Sequence, residues 1–320
     1  MKFNQLEDLI KNSTKILIMS HINPDGDALG STSSMYTTIY ENFKKRADIL
    51  VIGHLPNCYK FLPNIETAKF EFDTSMVYDL VITLDVASLD RLANHQILFE
   101  KAVHTINIDH HKTNSNFGEV NEVNPKASST GEVLLNIFNE QNWKISLDSA
   151  IGLYTAILTD TGGFRYENTS ENVFLSAAQL VKIGINPNEI YKNCYEKKSK
   201  DFVMFQNACI NKAEFLFNNK VAYTVVYKKD LEKYQAKDDF TEGLVETLRA
   251  IDSTEISFIA KEIDSKSTKI SMRSKTKDVA AICAEYGGGG HTFAAGCLIK
   301  SGVDKAIKKI LKTIEEYLNG

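Results

Sequence analysis

The chain has 320 residues and a formal net charge of -4, with 43% hydrophobic and 24% charged residues. This length favours two domains, and the composition is typical of a folded globular protein. A protein that holds long nucleic acid by its backbone usually carries a basic excess, which this chain lacks. We therefore expect any nucleic-acid substrate to be short and bound in a local pocket.

Neither a targeting segment nor a membrane span is expected from the sequence. Residues 1–5 mix polar and apolar side chains, and no apolar core of a signal peptide follows them. No apolar run approaches the roughly 18 residues that a membrane-spanning helix needs. The five cysteines are scattered and form no C-x-x-C pair, which favours free thiols in a reducing compartment. We therefore expect a cytoplasmic protein that does not contact a membrane.

Strands and helices are predicted to alternate in the first half of the chain. Apolar runs at 15–19, 49–52, 80–84 and 103–108 are typical of buried parallel strands. Helices are predicted from the loop at 20–27 to about Phe43, from the capping-box sequence at 129–132 to about Asn139, and from Leu147 to Asp160. This alternation predicts an α/β fold with a doubly wound, mostly parallel sheet.

The second half has a different pattern. A helix is predicted to stop at Gly184 and another to begin at Pro187. A hairpin is predicted over 215–227, with later strands at 256–260 and 269–272 and a closing helix over 303–318. We therefore predict a catalytic domain over 1–187, a linker helix over 188–210, and a smaller mixed-sheet α/β domain over 211–320.

Residues of the types that bind metals cluster at the ends of the predicted strands. They are His21, Asp25 and Asp27 after the first strand, Asp85 after Leu84, and Asp109, His110 and His111 after Ile108, with Asp160 at the end of a helix. Because the carboxyl ends of parallel strands face one crevice, these clusters are expected to converge. Each alone has an ordinary explanation, such as a turn, a helix cap or a solvated histidine pair. Four clusters at the same end are harder to explain in that way.

A metal site would explain why these carboxylates lie together. Unpaired carboxylates repel one another and are costly to desolvate, and a divalent cation removes that conflict. Oxygen and imidazole ligands without a thiolate suit Mn²⁺, and also Mg²⁺, Fe²⁺ or Co²⁺. The candidate ligands outnumber those that one ion needs, so we predict two ions. Two ions roughly 3.5–4 Å apart can clamp an in-line displacement at phosphorus.

Taken together, the motifs resemble those of the DHH phosphoesterase family. Residues 21–31 resemble its first motif, 84–88 the second, 109–111 the third and 160–164 the fourth. In the second half, the glycine run at 287–290 with His291, followed by 294–296, resembles the DHH-associated C-terminal domain. One such motif is modestly specific, whereas the ordered set covers nearly the whole chain.

The resemblance implies a role for each candidate residue. One metal would be bound by His21, Asp25 and Asp85, and the other by Asp27, Asp85, His110 and Asp160. Asp109 would orient the histidine pair, and His111 would face the scissile phosphate and protonate the leaving oxygen. A nucleotide's terminal phosphate or base would be held across the cleft between the domains by Arg273, Ser274, Gly289, Gly290 and His291.

Length and layout are most similar to the nano-RNase group of that family. The resemblance implies hydrolysis of very short oligoribonucleotides to nucleoside 5′-monophosphates, and removal of the 3′-phosphate from adenosine 3′,5′-bisphosphate. The alternatives are a cyclic-dinucleotide phosphodiesterase on the same scaffold and a nucleotide-binding regulator without catalysis. A family II pyrophosphatase is disfavoured by the glycine-histidine segment, and a RecJ-type exonuclease by length and charge. A homodimer is plausible for the family, although no residue identifies an interface.

Overall fold

The computed structural model describes residues 4–236 and 238–319. The chain divides into two compact units, Met1–Lys197 and Lys198–Gly320, which are described in turn. No helix within these described ranges is both long and apolar enough to span a membrane.

The N-terminal unit is built on a five-stranded sheet in which every neighbouring pair of strands is parallel. Its strands are β1 (Ile16–Ser20), β2 (Ala47–Leu50), β3 (Leu80–Leu84), β4 (His104–Asp109) and β5 (Val120–Val123). Their order across the sheet is β2-β1-β3-β4-β5. The predicted parallel sheet is therefore confirmed, and β5 is an additional edge strand that the apolar pattern does not reveal.

The described residues of this unit form seven α-helices. They are α1 (Asn4–Asn12), α2 (Gly26–Phe43), α3 (Gln96–Glu100), α4 (Thr130–Glu140), α5 (Leu147–Asp160), α6 (Glu171–Ile183) and α7 (Pro187–Tyr191). The Ser129 side chain caps α4 by accepting from the N–H of Glu132, while Glu132 accepts from the N–H of Ser128 at 2.6 Å. The predicted capping sequence thus starts the helix, although its return hydrogen bond reaches one residue further back.

Both faces of the parallel sheet are covered. Along β1, Ile16 and Ile18 pack into a core with α1, α2, α4 and α5, whereas Leu17 and Met19 pack on the opposite face with Leu98 of α3. All four side chains are buried. A continuous apolar run is what a strand buried on both faces requires, and this explains why the run predicted the strand.

Helices α2 and α5 pack closely and antiparallel. A Cβ added at Gly30 would lie 2.5 Å from the carbonyl oxygen of Gly152, so only glycine fits there. About one turn after Gly30 in α2, Ser34 Oγ lies 2.8 Å from Ser149 Oγ, near the start of α5. The beginning of α2 therefore lies beside the end of α5. This arrangement brings Asp27 and Asp160 to the same end of the helix pair.

The C-terminal unit contains a mixed six-stranded sheet of order β10-β11-β9-β8-β7-β6. Its strands are β6 (Glu214–Leu216), β7 (Val221–Val226), β8 (Ile256–Asp264), β9 (Ser267–Ser274), β10 (Gly289–His291) and β11 (Ala294–Ile299). Among these described strands, β7 and β8 pair in parallel, and the other pairs are antiparallel. The predicted mixed sheet is confirmed.

Within the part of this unit that the structure describes, five α-helices accompany the sheet. They are α8 (Lys200–Ile210), α9 (Lys228–Lys233), α10 (Leu244–Arg249), α11 (Val279–Ala284) and α12 (Val303–Asn319). One face of the sheet packs with α11 and α12, and the other face packs with α8 and α10. Residues 188–210, predicted as a linker helix, comprise most of α7, a π-helical turn at Lys192–Glu196, and α8.

Candidate metal centre and catalytic site

The carboxyl ends of three neighbouring strands align at one edge of the parallel sheet. Ser20 of β1 pairs with Leu84 of β3, and Leu84 pairs with Ile108 of β4. The residue that follows each of these positions is a candidate ligand or its neighbour, namely His21, Asp85 and Asp109. The register of the sheet therefore sets these side chains side by side, as the strand-end argument predicts.

Asp85 lies at the middle of the cluster. It adopts a left-handed backbone conformation with φ of 62°, and its N–H donates to the carbonyl oxygen of Ile108 at 3.0 Å. Its carboxylate oxygens lie 3.5 Å from His21 Nε2, 3.6 Å from His110 Nε2 and 3.5 Å from His111 Nδ1. A strained backbone held at such a position is typical of a functional site.

Asp27 is buried and is held by the amino end of α4. Its Oδ2 accepts from the N–H of Thr130 at 2.7 Å, and its Oδ1 accepts from the N–H of Gly131 at 3.0 Å and from Ser31 Oγ at 3.1 Å. The Thr130 hydroxyl also donates to Asp85 Oδ1 at 3.1 Å. Ser31, Thr130 and Gly131 were not predicted as part of the site. The capping sequence predicts where α4 starts but not which carboxylate its free N–H groups face.

Asp25 plays a different local role. It is the N-cap of α2, and its Oδ1 accepts from the N–H groups of Asp27 and Ala28 at 3.0 and 3.1 Å. This cap explains the turn-like sequence without removing Asp25 from the site. Its carboxylate remains close enough to His21 and Asp85 to form a group whose ligand atoms lie within 4.8 Å of one another.

His110 faces three carboxylates at once. Its Nε2 lies 3.7 Å from Asp27 Oδ2, 3.6 Å from Asp85 Oδ1 and 3.6 Å from Asp160 Oδ2. Asp27, His110 and Asp160 form a second group with ligand atoms within 4.8 Å of one another, and Asp85, His110 and His111 form a third. The third group shares Asp85 with the group of His21 and Asp25, and it shares His110 with the group of Asp27 and Asp160. All six predicted metal ligands are therefore brought together at one place.

Asp109 and His111 form a hydrogen-bonded pair beside this cluster. Asp109 is fully buried, its Oδ1 lies 2.7 Å from His111 Nδ1, and its Oδ2 accepts from Asn114 Nδ2 at 2.6 Å. Burial lowers the pKa of His111, but the hydrogen bond with Asp109 and the charge of Asp85 outweigh it and raise that pKa to about 9. Asn114 was not predicted, because an asparagine in a loop carries no distinctive sequence signal.

The electrostatics of the cluster fit a bound cation. Burial raises the pKa of Asp27 well above its usual range, and the charges of Asp85 and Asp160 raise it further. Burial and the charges of Asp25 and Asp85 raise the pKa of Asp160 in the same way. Burial also opposes ionisation of Asp85, but its contacts with His21 and His110 outweigh burial and lower the pKa. Added positive charge would stabilise all three carboxylates, so the donor set suits a divalent metal.

The predicted substrate-binding residues lie in the C-terminal unit. Strand β11 separates β9 from β10, and its Ala294 is paired with both Arg273 and His291. Arg273 and His291 therefore share one row of the sheet, with Cα atoms about 10 Å apart. Arg273 Nε donates to Glu246 Oε1 at 2.9 Å. Ser274 is buried, and its Oγ accepts from the N–H groups of Thr276 and Lys277, so it shapes the turn after β9.

The glycine run is partly a strand, where a loop is the usual expectation. A Cβ at Gly288 would lie 2.2 Å from the carbonyl oxygen of Gly296, and one at Gly290 would lie 2.4 Å from that of Ala294. The close approach of β10 to β11 therefore requires both glycines. At Gly289, no atom of the described residues lies within 4 Å of an added Cβ. Gly289 is exposed, which leaves room for a ligand beside it.

The fold and the strand-end cluster define an α/β protein with a centre suited to divalent metals, and comparisons identify its family. Residues 15–157 match the DHH family, N-terminal domain, and residues 218–320 match the DHHA1 domain. The chain belongs to the DHH family and is a hydrolase that acts on phosphoester bonds. DHH phosphoesterases depend on metals, and the clustered carboxylates and imidazoles are placed to bind one.

The chain is similar to named relatives along nearly its whole length. It is 28% identical to the bifunctional oligoribonuclease and PAP phosphatase NrnA of Thermus thermophilus, covering 95% of this chain and 90% of the relative. It is 27% identical to the Bacillus subtilis protein of the same name, covering 89% and 90%. An exopolyphosphatase-related protein from Bacteroides fragilis has a similar structure, with a TM-score of 0.92, 26% identity and coverage of 99% and 96%.

Proposed function

We propose that the chain hydrolyses very short oligoribonucleotides to nucleoside 5′-monophosphates, and that it also removes the 3′-phosphate from adenosine 3′,5′-bisphosphate. The observation that carries this proposal is the cluster of three overlapping ligand groups around Asp85 and His110. Similarity to oligoribonuclease and PAP phosphatase relatives over both domains supports the choice of substrate. The net charge of -4 is consistent with a short substrate rather than with long nucleic acid.

Two divalent ions, most simply Mn²⁺, would be held by two ligand sets that share Asp85. The first set is His21, Asp25 and Asp85, and the second is Asp27, Asp85, His110 and Asp160. The first is one of the observed close groups, and Asp27, His110 and Asp160 form another. When bound, such ions neutralise charge that develops on the phosphoryl oxygens and lower the pKa of water. The second-set carboxylates are buried or half-buried, so the protein supplies a fixed and largely dry arrangement of donors.

His111 is proposed to give a proton to the leaving oxygen, and Asp109 to position it. In the arrangement that supports this role, His111 Nδ1–H donates to the buried Asp109 carboxylate at 2.7 Å. Nε2 is then the nitrogen that would give its proton to the leaving oxygen. The ribose oxygen that leaves from an oligonucleotide is a poor leaving group without a proton, which is the situation in which general acid catalysis is effective.

The C-terminal unit is proposed to bind the part of the substrate that is not hydrolysed. Arg273 and His291 lie in one row of the sheet, and Gly289 leaves space beside that row. A guanidinium suits a phosphate, and an imidazole suits a phosphate or a base.

A panel of substrates with Mn²⁺ tests the proposal. RNA of two to five residues, linear pApA, adenosine 3′,5′-bisphosphate, cyclic di-AMP and pyrophosphate are assayed with the wild type and with Asp85→Asn as the inactive control. We expect hydrolysis of the short RNAs and of adenosine bisphosphate. A preference for cyclic di-AMP over linear pApA would identify a cyclic-dinucleotide phosphodiesterase instead. Failure to hydrolyse any of them would support a non-catalytic nucleotide-binding regulator.

A further inference from the structure

An arginine outside the predicted site residues lies directly beside the metal cluster. Arg91 belongs to a 3-10 helical segment, Leu89–His95, that follows Asp85. Its backbone is fixed, because its carbonyl oxygen accepts from the N–H of Ile22 at 2.8 Å and its N–H donates to the carbonyl oxygen of Ser88 at 3.1 Å. The first of these hydrogen bonds ties the segment to the loop that carries His21.

The guanidinium of Arg91 reaches the far side of the His21 ring. Its Nη2 lies 3.3 Å from His21 Nδ1, whereas His21 Nε2 faces Asp85 Oδ2 at 3.5 Å. One imidazole ring therefore separates the guanidinium from the carboxylate cluster. The Arg91 residue is exposed, so the guanidinium can move over the edge of the cluster while its backbone stays in place.

The contact between Arg91 and His21 is poorly suited to a metal-bound histidine. His21 Nδ1 also lies 3.0 Å from the carbonyl oxygen of Ile22. If Nε2 offers its lone pair to a cation, Nδ1 carries the hydrogen and donates it to that carbonyl. Nδ1 then has no lone pair for an arginine N–H. Among the residues that the structure describes, Arg91 has no other side-chain hydrogen bond or ion pair, so its donors are accessible to solvent and to a ligand.

We propose that Arg91 binds a non-bridging oxygen of the phosphate group that is held at the cation cluster. A guanidinium presents paired donors that match phosphate geometry and keeps its charge at all working pH values. Its position beside the cluster lets it contact a phosphate that the cations hold, without replacing any ligand. This inference rests on the proposed site for phosphate hydrolysis and adds to it a residue that contacts the reacting group.

The test measures binding of inorganic phosphate to the Mn²⁺-loaded protein by isothermal titration calorimetry. Arg91→Gln and Arg91→Lys are compared with the wild type and with Arg46→Gln. Arg46 is a matched control, because it is an exposed arginine of the same unit that directly precedes β2. Since the strands are parallel, Arg46 lies at the amino-end edge of the sheet, opposite the cluster.

We expect Arg91→Gln to weaken phosphate binding about tenfold to hundredfold, as expected for loss of a charge-assisted hydrogen bond. Arg91→Lys should weaken phosphate binding less, because lysine keeps the charge but not the paired donors. Arg46→Gln should bind phosphate like the wild type. Mn²⁺ affinity, titrated separately, should stay unchanged in every variant. Equal phosphate affinity in Arg91→Gln and wild type would overturn the inference. A parallel loss of Mn²⁺ affinity would also overturn it, since Arg91 would then act only through His21.

The outcome is separable from that of the proposed function. If the protein hydrolyses none of the substrates in the panel but binds phosphate through Arg91, the proposed function fails and this inference stands. If it hydrolyses short RNA and Arg91→Gln binds phosphate normally, the inference alone fails. Kinetics provide a second readout, because loss of a contact with the reacting phosphate lowers kcat/KM for short RNA and for adenosine bisphosphate by similar factors.

Discussion

The hydroxyl of Thr130 is predicted to control metal affinity without binding a metal itself. Thr130 is fully buried, and its Oγ1 donates to Asp85 Oδ1 at 3.1 Å. Replacement by valine removes the hydroxyl and nearly keeps the shape. The backbone N–H of residue 130 still donates to Asp27, so the substitution perturbs one hydrogen bond to the shared ligand. Loss of a hydrogen bond to a charged, buried group costs about 1.5–3 kcal/mol.

We expect Thr130→Val to lower Mn²⁺ affinity about tenfold to hundredfold, in line with the effect of other residues that orient metal ligands. Thr130→Ser keeps a hydroxyl at the same place and should stay close to the wild type. Both variants are titrated with Mn²⁺ by isothermal calorimetry, and urea unfolding checks that each is folded. Wild-type affinity in Thr130→Val, or an equal loss in Thr130→Ser, would refute the view that this hydroxyl orients Asp85.

Three further predictions concern the proton donor, the substrate-binding row and the sheet. His111→Asn should lower kcat by about 10²–10⁴ with Mn²⁺ affinity retained, and wild-type turnover in stopped-time assays on pApA would remove His111 from the mechanism. Arg273→Met should raise KM for short RNA while the metals stay bound, and unchanged kinetics on dinucleotides would rule out its assignment. Asp79 accepts three hydrogen bonds from Thr14 and Lys15, which lower its pKa to about 2. The pKa of Asp79 is lower in the folded state than in the unfolded state. The ionised carboxylate therefore contributes its full stabilisation of the fold above about pH 5, and this stabilisation is lost as pH falls from about 4 to about 2. Asp79→Asn should therefore lower the free energy of unfolding by about 1 kcal/mol at pH 7. Urea titrations should show that the difference in this free energy between wild type and variant becomes smaller in acid. A difference that does not change with pH would contradict this role of the Asp79 carboxylate.

The parallel sheet and its helices were predictable because their physical requirements are local. A strand buried on both faces needs a continuous apolar run, as at Leu80–Leu84, and a helix start needs a cap, as at Ser129. The direction of parallel strands then dictates that Asp85 and Asp109 meet at one edge. The part of the site formed by the strand ends can therefore be predicted from the order of the motifs along the chain.

The remaining features depend on contacts between distant segments. The hydrogen bonds from Thr130 and Gly131 to Asp27 span more than a hundred residues, and no local pattern encodes them. Strand β11 begins Ala-Ala-Gly-Cys, which lacks the β-branched residues that favour strands, so packing rather than propensity determines it. The ion pair of Arg273 with Glu246 is likewise a tertiary contact, and a phosphate bound at Arg273 as proposed would compete with this carboxylate.

The central claim is that carboxylates and imidazoles from separate strands and helices bind a pair of divalent cations at one edge of the N-terminal sheet. Anomalous diffraction from crystals grown with Mn²⁺ measures this directly. We expect two anomalous peaks, one bounded by each proposed ligand set, with the Asp85 carboxylate between them. A single peak, peaks elsewhere on the molecule, or an Asp85 carboxylate that contacts neither ion would contradict it.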